Sequence, residues 1–355
     1  MLTVVKYKVM KFNRTKGDFM ITYIKKGAPQ YKANLHCHTN LSDGKLSPEE
    51  VKKAYKDHGY SVLCITDHEH PVDHTDLSED DFVMLTGYEA YIRNDDYNYL
   101  KSEIHMNLFA RDPHNVKYIN FNDKWCKYIK DPVERANLQR VGSEKPREYT
   151  VEYINEFVKT AKENGYICAQ NHSTWSMEPE ENILAYDGFF SMEIYNYGAD
   201  IVNRCEYNAK IYDRLLMSGN RICCHAADDN HNREPFDAPD CDSFGGFTMI
   251  LADELSYDGV FKALEGGNFY ASSGPEIFEL TFDGKKVHIE SSAAKQITML
   301  SGAKITKRVC GKPDSPVTSA DFEISDLAPY VRFDVYDFEG NHANTRAFFR
   351  DELGI

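Results

Sequence analysis

Through its middle the chain alternates short apolar runs with amphipathic stretches of helical period, the pattern of βα units built around parallel strands. The clearest unit spans 47–65. Ser47-Pro48-Glu49-Glu50 supplies an N-cap, a proline for the first helical position and a capping-box glutamate. Val51, Ala54, Tyr55 and His58 then share one helical face, and Gly59 stands where a helix ends. YSVLCI (60–65) follows, apolar almost throughout, as a strand covered on both faces should be. FVMLTG (82–87), SEIHMNLFA (102–110), YICAQ (166–170), FFSMEIYN (189–196) and NRICCHA (220–226) read as further strands. A helix capped by Thr150 fills 150–164 and stops near Gly165, and another ends near Gly219. The polar, irregular stretch 112–149 reads as an excursion over one rim. From about residue 275, IFELTFDG, KKVHIES, KQITMLSG, ADFEIS and YVRFDVYDFEGN alternate between turn signals without long helices, which predicts a small antiparallel β domain, a sandwich. Three parts result: a β-rich lead-in at 1–30, an α/β unit at 31–274 and the β domain at 275–355. No convincing repeat or low-complexity tract interrupts them.

Composition narrows the picture. A length of 355 residues suits one large core with a small companion, and no run of about 18 uncharged apolar residues exists to span a membrane. The start, MLTVVKYKVMKFNRTKG, is broken by lysines and reads as no secretory signal. Nine cysteines, an odd number without a CxxC pair, fit reduced thiols in a cytoplasm better than a disulfide framework. A formal charge of −15 argues against gripping a nucleic-acid backbone over a broad basic surface. It leaves room for a small phosphorylated substrate, because bound cations reverse the local potential. Eleven of the 13 histidines fall between His36 and His231. Whatever needs imidazole is confined to the middle of the chain.

Those histidines and several acids stand at or just past the predicted strand ends. His36 and His38 follow ANL, Asp67 and His68 follow SVLCIT, and Glu89 follows FVMLTGY. His105 lies in EIHMNLF, His172 follows YICAQN, and Asp229 and His231 follow CCHAAD. Parallel strands that close into a barrel bring their C-terminal ends to one mouth. His36 and His38, two apart on an extended segment, project from one face, and so do Asp229 and His231 if that segment stays extended. Imidazoles and carboxylates gathered there would repel or sit unsatisfied unless cations joined them. Other residues read more plainly: His70 and His74 as solvated loop histidines, His225 and Cys37 as packing.

The ordered set HCH (36–38) with Asp43, TDH (66–68), GYE (87–89), His105, NH (171–172) and DNH (229–231) resembles the PHP superfamily, named for polymerases and histidinol phosphatases. GGNFYASSG (266–274) followed by a β domain resembles its carbaryl-hydrolase-like branch. The resemblance implies a distorted (β/α)7 barrel over 31–274 with two or three divalent ions at its mouth. It implies that His36, His38, Glu89 and Asp229 hold a first ion. Glu89 would bridge to a second ion completed by His105 and His172, and Asp43, His68 and His231 would hold a third. Asp43 stands where some relatives have histidine, an oxygen donor that favours manganese or iron over zinc. The implied chemistry is hydrolysis of phosphate mono- or diesters by a hydroxide shared between ions, with Glu89 and His68 at its centre and Asp67 orienting a ligand. Arg233, just past His231, is a candidate phosphate clamp, with Arg93 and Arg204 behind it. The same site could cleave a carbamate, ester or amide. A reading from another class is a non-catalytic metal-binding, carbohydrate-binding or partner-binding module. The oligomeric state stays open, a homo-oligomer included.

Overall fold

The computed structural model describes residues 20–94, 102–302, 304 and 306–355. Most of the expected lead-in, 1–19, therefore lies outside the described residues, and the described part opens with the strand Met20–Ile24.

The first βα unit forms as its sequence dictates. Ser47 Oγ accepts from Glu50 N at 3.3 Å and Glu50 Oε2 accepts from Ser47 N at 2.8 Å, so the capping box starts the helix Pro48–Asp57. Val51, Ala54 and Tyr55 are its buried face, and Gly59 leaves it at φ +77°, a conformation that favours glycine. The chain then enters the wholly buried strand Val62–Ile65.

Tyr31–Asn34, Val62–Ile65 and Val83–Arg93 lie side by side and parallel, as do Tyr166–Gln170, Ser191–Asn196 and Cys223–Ala227. Glu103–Ala110 joins the two sets and runs antiparallel to both neighbours, which departs from the expected all-parallel arrangement. The cause is chain length: the connection from Arg93 to Glu103 is shorter than the dozen or so residues a parallel crossover needs, so the chain returns as a hairpin. Phe247–Ile250 continues the sheet antiparallel to Tyr31–Asn34. Beyond the strand ends the first and last of these parallel strands meet: Cys37 bridges Asn230, His38 N donates to Asn230 O at 3.0 Å, and Asp229 N to His36 O at 2.9 Å.

The C-terminal region is antiparallel β, as its alternation implies. Met20–Ile24, Ile277–Asp283, Lys286–Ala294 and Val317–Glu323 form one sheet. The opposing strands, Gln296–Leu300, Tyr330–Tyr336 and His342–Thr345, extend the large sheet, because Phe269–Ser272 pairs with both Phe247–Ile250 and His342–Thr345. Leu280, Phe282 and Ile289 from one sheet share a core with Met299, Phe333 and Val335 from the other. Among the described residues no helix is long and apolar enough to cross a membrane.

The excursion after Ala110 is ordered rather than irregular. Tyr118–Ile119 pairs in parallel with Arg140–Val141, and Tyr118, Phe121, Cys126 and Ile129 make a small core of their own. Arg147 and Glu69, both side chains fully buried, tie it down: Arg147 Nη2 donates to Glu69 Oε2 at 2.9 Å and Nη1 to Oε1. Tyr118 Oη adds a hydrogen bond to Glu69 Oε2 at 2.6 Å.

Candidate metal centre

The extended stretch after Tyr31–Asn34 alternates as its sequence implies. Leu35 and Cys37 go into apolar core, while His36 and His38 turn to the other side with their Nε2 atoms 3.2 Å apart. Glu89 lies within the strand Val83–Arg93, and the antiparallel return sets His105 opposite Tyr91. His105 therefore reaches the same mouth from near the start of its strand, where an all-parallel sheet would carry it away. Asp229 and His231 arrive by another route than expected. Asp229 has φ +53°, so the segment is not extended, and a turn carries both side chains inward with His231 Nδ1 3.0 Å from Asp229 O.

All nine expected ligand residues come together. Glu89 is at the centre and divides them between its oxygens. Oε1 lies 3.0 Å from His105 Nδ1, 3.2 Å from His36 Nε2 and 3.4 Å from His172 Nε2. Oε2 lies 2.8 Å from His68 Nδ1 and 3.4 Å from His38 Nε2. Asp229 Oδ1 is 3.1 Å from His36 Nε2 and 3.0 Å from His38 Nε2, and its Oδ2 is 3.6 Å from His172 Nε2. Asp43 Oδ1 stands 3.4 Å from His231 Nε2 and 3.8 Å from His68 Nε2. Among these nine residues, four groups each bring one donor atom per residue to within 4.8 Å of one another: His38/Asp43/His68/His231, His36/Glu89/His172, His36/His38/Asp229 and His68/Glu89/His105. The sharing differs from the expected partition, since His38 joins Asp43's group and His68 turns one nitrogen to each of two groups.

These atoms are not satisfied by one another. Glu89 Oε2, Asp229 Oδ1 and His68 Nδ1 are buried and make no hydrogen bond, although Oε2 and Nδ1 approach to 2.8 Å. Their lone pairs converge at angles wrong for hydrogen bonding, and unpartnered buried polar atoms are costly. A cation among them resolves the cost, and a donor set of imidazole and carboxylate without thiolate fits manganese, iron or zinc.

The electrostatics agree. Burial alone would raise the Glu89 carboxyl, but His36, His105 and His68 outweigh it and hold it well below the usual range. Asp229 is likewise held down against its burial, by His36, His38 and His172. Burial opposes charge on His105 and His231, yet neighbouring carboxylates lift them to about 10 and about 9. His38 is pushed down to about 4 by burial and by the fields of His68 and His231. Without metal the cluster neutralises its acids with protons, which a divalent ion would displace.

A layer of hydrogen bonds sets ring orientation. Glu193 Oε1 accepts from His36 Nδ1 at 2.7 Å, and Oε2 accepts from His172 N and Asn196 Nδ2, each at 2.8 Å. Asn171 Nδ2 donates to Glu89 Oε1 at 2.7 Å, and Ser176 Oγ lies 3.0 Å from His172 Nδ1. Sequence reasoning missed Glu193, Asn196 and Ser176, and gave Asn171 no role beyond its place in the NH motif. Glu193 carried a signal, an acid alone in the apolar run SMEIY. Asp67 touches no ligand histidine directly. It accepts from Thr39 N at 2.8 Å, Thr39 Oγ1 at 2.6 Å and Ser42 Oγ, and that hydroxyl lies 3.5 Å from His38 Nδ1. Asp67 thus holds the turn that carries Asp43 and reaches His38 only through Ser42. Asp228, beside Asp229, is structural: it accepts from Tyr55 Oη and from the amides of Phe244, Gly245 and Gly246.

His70 and His74 are buried, not solvated, and His70 Nε2 lies 2.7 Å from Glu134 Oε1. His225 is a core residue as expected, 2.9 Å from Ser191 Oγ. Of the candidate clamps, Arg233 Nη2 is 3.8 Å from Asp43 Oδ2 with its side chain 61% exposed. Arg93 lies over the Trp125 ring, and Arg204 is the exposed, left-handed end of the helix Tyr197–Asn203.

A buried cluster of imidazoles and carboxylates at the strand ends of a mixed α/β sheet defines a metal-binding α/β protein. Residues 34–167 match the family described as PHP domain, in agreement with the resemblance read from the ordered histidines and acids. The match does not distinguish the carbaryl-hydrolase-like branch. No curated protein matches the chain. Among solved structures, a two-domain protein from Bacteroides vulgatus, said to contain a "predicted PHP-like metal-dependent phosphoesterase", is similar at 16% identity and a TM-score of 0.44, over 92% of this chain and 98% of that one. An amidohydrolase from Chromobacterium violaceum, solved with bound sulfate and no metal, is similar at 16% identity and a TM-score of 0.38, over 59% of this chain and 93% of that one.

Proposed function

We propose that this chain is a metal-dependent hydrolase of phosphate esters, with its nine ligand residues holding two or three divalent ions at the mouth of a distorted (β/α)7 barrel. The observation that carries the reading is Glu89, whose two oxygens face separate sets of imidazoles while Oε2 makes no hydrogen bond. A carboxylate so placed would help hold the ions together with the imidazoles around each of its oxygens. When bound, such ions neutralise phosphoryl charge and make water nucleophilic near neutral pH. The chain's own residues do the rest. Glu193 and Ser176 orient His36 and His172, and Asp67 fixes the turn bearing Asp43. The Arg233 guanidinium, on the exposed side of Asp43, offers a clamp for a phosphoryl oxygen. Nine free cysteines, six of them buried, fit a reducing compartment.

The test joins elemental analysis to a substrate screen on one sample, with p-nitrophenyl phosphate, bis-p-nitrophenyl phosphate and carboxyl esters under added manganese. Two or three bound ions and turnover of a phosphate ester are expected. Turnover of carboxyl esters alone would move the assignment to carbonyl hydrolysis, and a metal-free preparation that no ion activates would end it.

A further inference from the structure

The excursion's own core is made by Tyr118, Phe121, Cys126 and Ile129, and Tyr128, between the last two, takes no part in it. It turns to the mouth instead. Its ring stacks on that of His68, with centroids 6.0 Å apart and planes at 16°, and Lys127 Nζ lies 4.9 Å from its centre. Its phenol comes into the neighbourhood of the Asp43 carboxylate and the Arg233 guanidinium. The backbone that presents it is anchored on both sides: Trp125 packs edge-on against Tyr91 at 4.9 Å, and Glu134 meets His70 at 2.7 Å. Farther along, Arg147 meets Glu69. Two of the three tie points, Glu69 and His70, directly follow His68 in the chain, so one strand end fixes both His68 and the phenol stacked on it.

The geometry points to Tyr128 as a neutral hydrogen-bond donor to an anionic oxygen of the substrate at the His38/Asp43/His68/His231 group, an inference that rests on the phosphoesterase reading. An oxygen drawn to a cation among those four residues would arrive beside the phenol stacked on His68. A phenol, with an ordinary pKa of about 10, is neutral near pH 7 and keeps its O–H as a donor there. A phenol also suits the place better than a second lysine, because it adds no positive charge beside the ions and its ring is already in contact with His68 and Lys127.

Tyr128→Phe removes the hydroxyl and keeps both ring contacts. With the metal-loaded protein, calorimetric titration with inorganic phosphate should show affinity about ten- to a hundredfold weaker in the variant, the range of a hydrogen bond to a charged group. Metal content and melting temperature should match the wild type, which separates loss of a donor from loss of structure. Equal phosphate affinity in the two proteins would overturn the role of Tyr128 and leave the phosphoesterase reading standing. No phosphate binding by either, with metal present, would overturn both.

Discussion

Glu193 is the sharpest point at which to press the design of the centre, because one substitution keeps its shape and reverses its hydrogen-bond logic. As a carboxylate it only accepts: one oxygen takes the His36 Nδ1 proton at 2.7 Å, and the other takes the amides of His172 and the Asn196 side chain at 2.8 Å. Glu193→Gln leaves a single oxygen for three donors. If that oxygen faces His36, the new NH2 confronts two N–H groups. If it faces His172 and Asn196, the NH2 confronts His36 Nδ1 and drives the imidazole to the tautomer with its proton on Nε2, the nitrogen aimed at Glu89 and Asp229. A ligand whose lone pair is thus removed cannot bind a cation. Outer carboxylates of this kind affect metal affinity about 10- to 100-fold, which corresponds to about 1.4–2.7 kcal/mol. The buried mismatch should also lower the stability of the metal-free protein by about 1–3 kcal/mol. Chelator competition gives the first quantity and urea unfolding the second. Affinity within twofold of wild type, in a variant that folds, would refute the claim that Glu193 sets the orientation and tautomer of His36.

Three further outcomes follow from the same geometry. In the metal-free protein His231 and His105 titrate near 9 and 10 rather than 6.5, so the folded state binds more protons than the unfolded between about pH 6.5 and 10. Stability of the metal-free protein should fall as pH rises through that window, and divalent-ion affinity should rise by at least one power of ten per pH unit near neutrality; thermal melts and proton release measured in two buffers check both, and a flat profile would contradict the shifts. Arg147→Ala strands the buried Glu69 carboxylate, which keeps only Tyr118 Oη and Tyr91 N as partners, so a loss of about 3 kcal/mol is expected, the low end for breaking a buried pair; urea unfolding with a loss under about 1 kcal/mol would show the pair to be dispensable. Arg233→Ala should raise KM for phosphorylated substrates tenfold or more while leaving metal content unchanged, and a shift under twofold would return Arg233 to the surface.

What the sequence made legible was whatever depends on local pattern. Ser47 and Glu50 announce a capping box, and the box forms. HCH alternates about Cys37, and the two rings land together with the thiol turned into the core. What it concealed depends on residues far apart in the chain. The antiparallel return at Glu103–Ala110 looks like any buried strand, because a strand covered on both faces reads the same in either direction. The left-handed backbone of Asp229 cannot be read from DDNH, which favours an extended stretch no less than a turn. Arg147 and Glu69 look like surface charges in polar segments, and only their pairing across the fold makes them core. Phe247–Ile250 passed unread for want of alternation, yet it is the strand that ties the α/β sheet to the C-terminal one through Phe269–Ser272.

Those concealed features are what make the cluster possible. Were Glu103–Ala110 parallel to Val83–Arg93, His105 and Glu89 could not lie 3.0 Å apart, since residues near the start of one strand and the end of the other would sit at opposite edges of the sheet. The hairpin puts a fifth imidazole on a carboxylate that four others already surround, and a buried acid so placed is tolerated only while positive charge balances it. Protons supply that charge in the metal-free protein and lose hold as pH rises; ions would supply it more strongly. Folding, proton load and metal affinity are therefore one linked equilibrium centred on Glu89. Glu89→Gln should accordingly do two things at once: weaken metal binding by at least a hundredfold and reduce the rise of metal-free stability toward low pH, because the histidines it lifts would no longer hold their protons. A variant that lost metal but kept the wild-type pH profile of stability would separate the two and break that linkage.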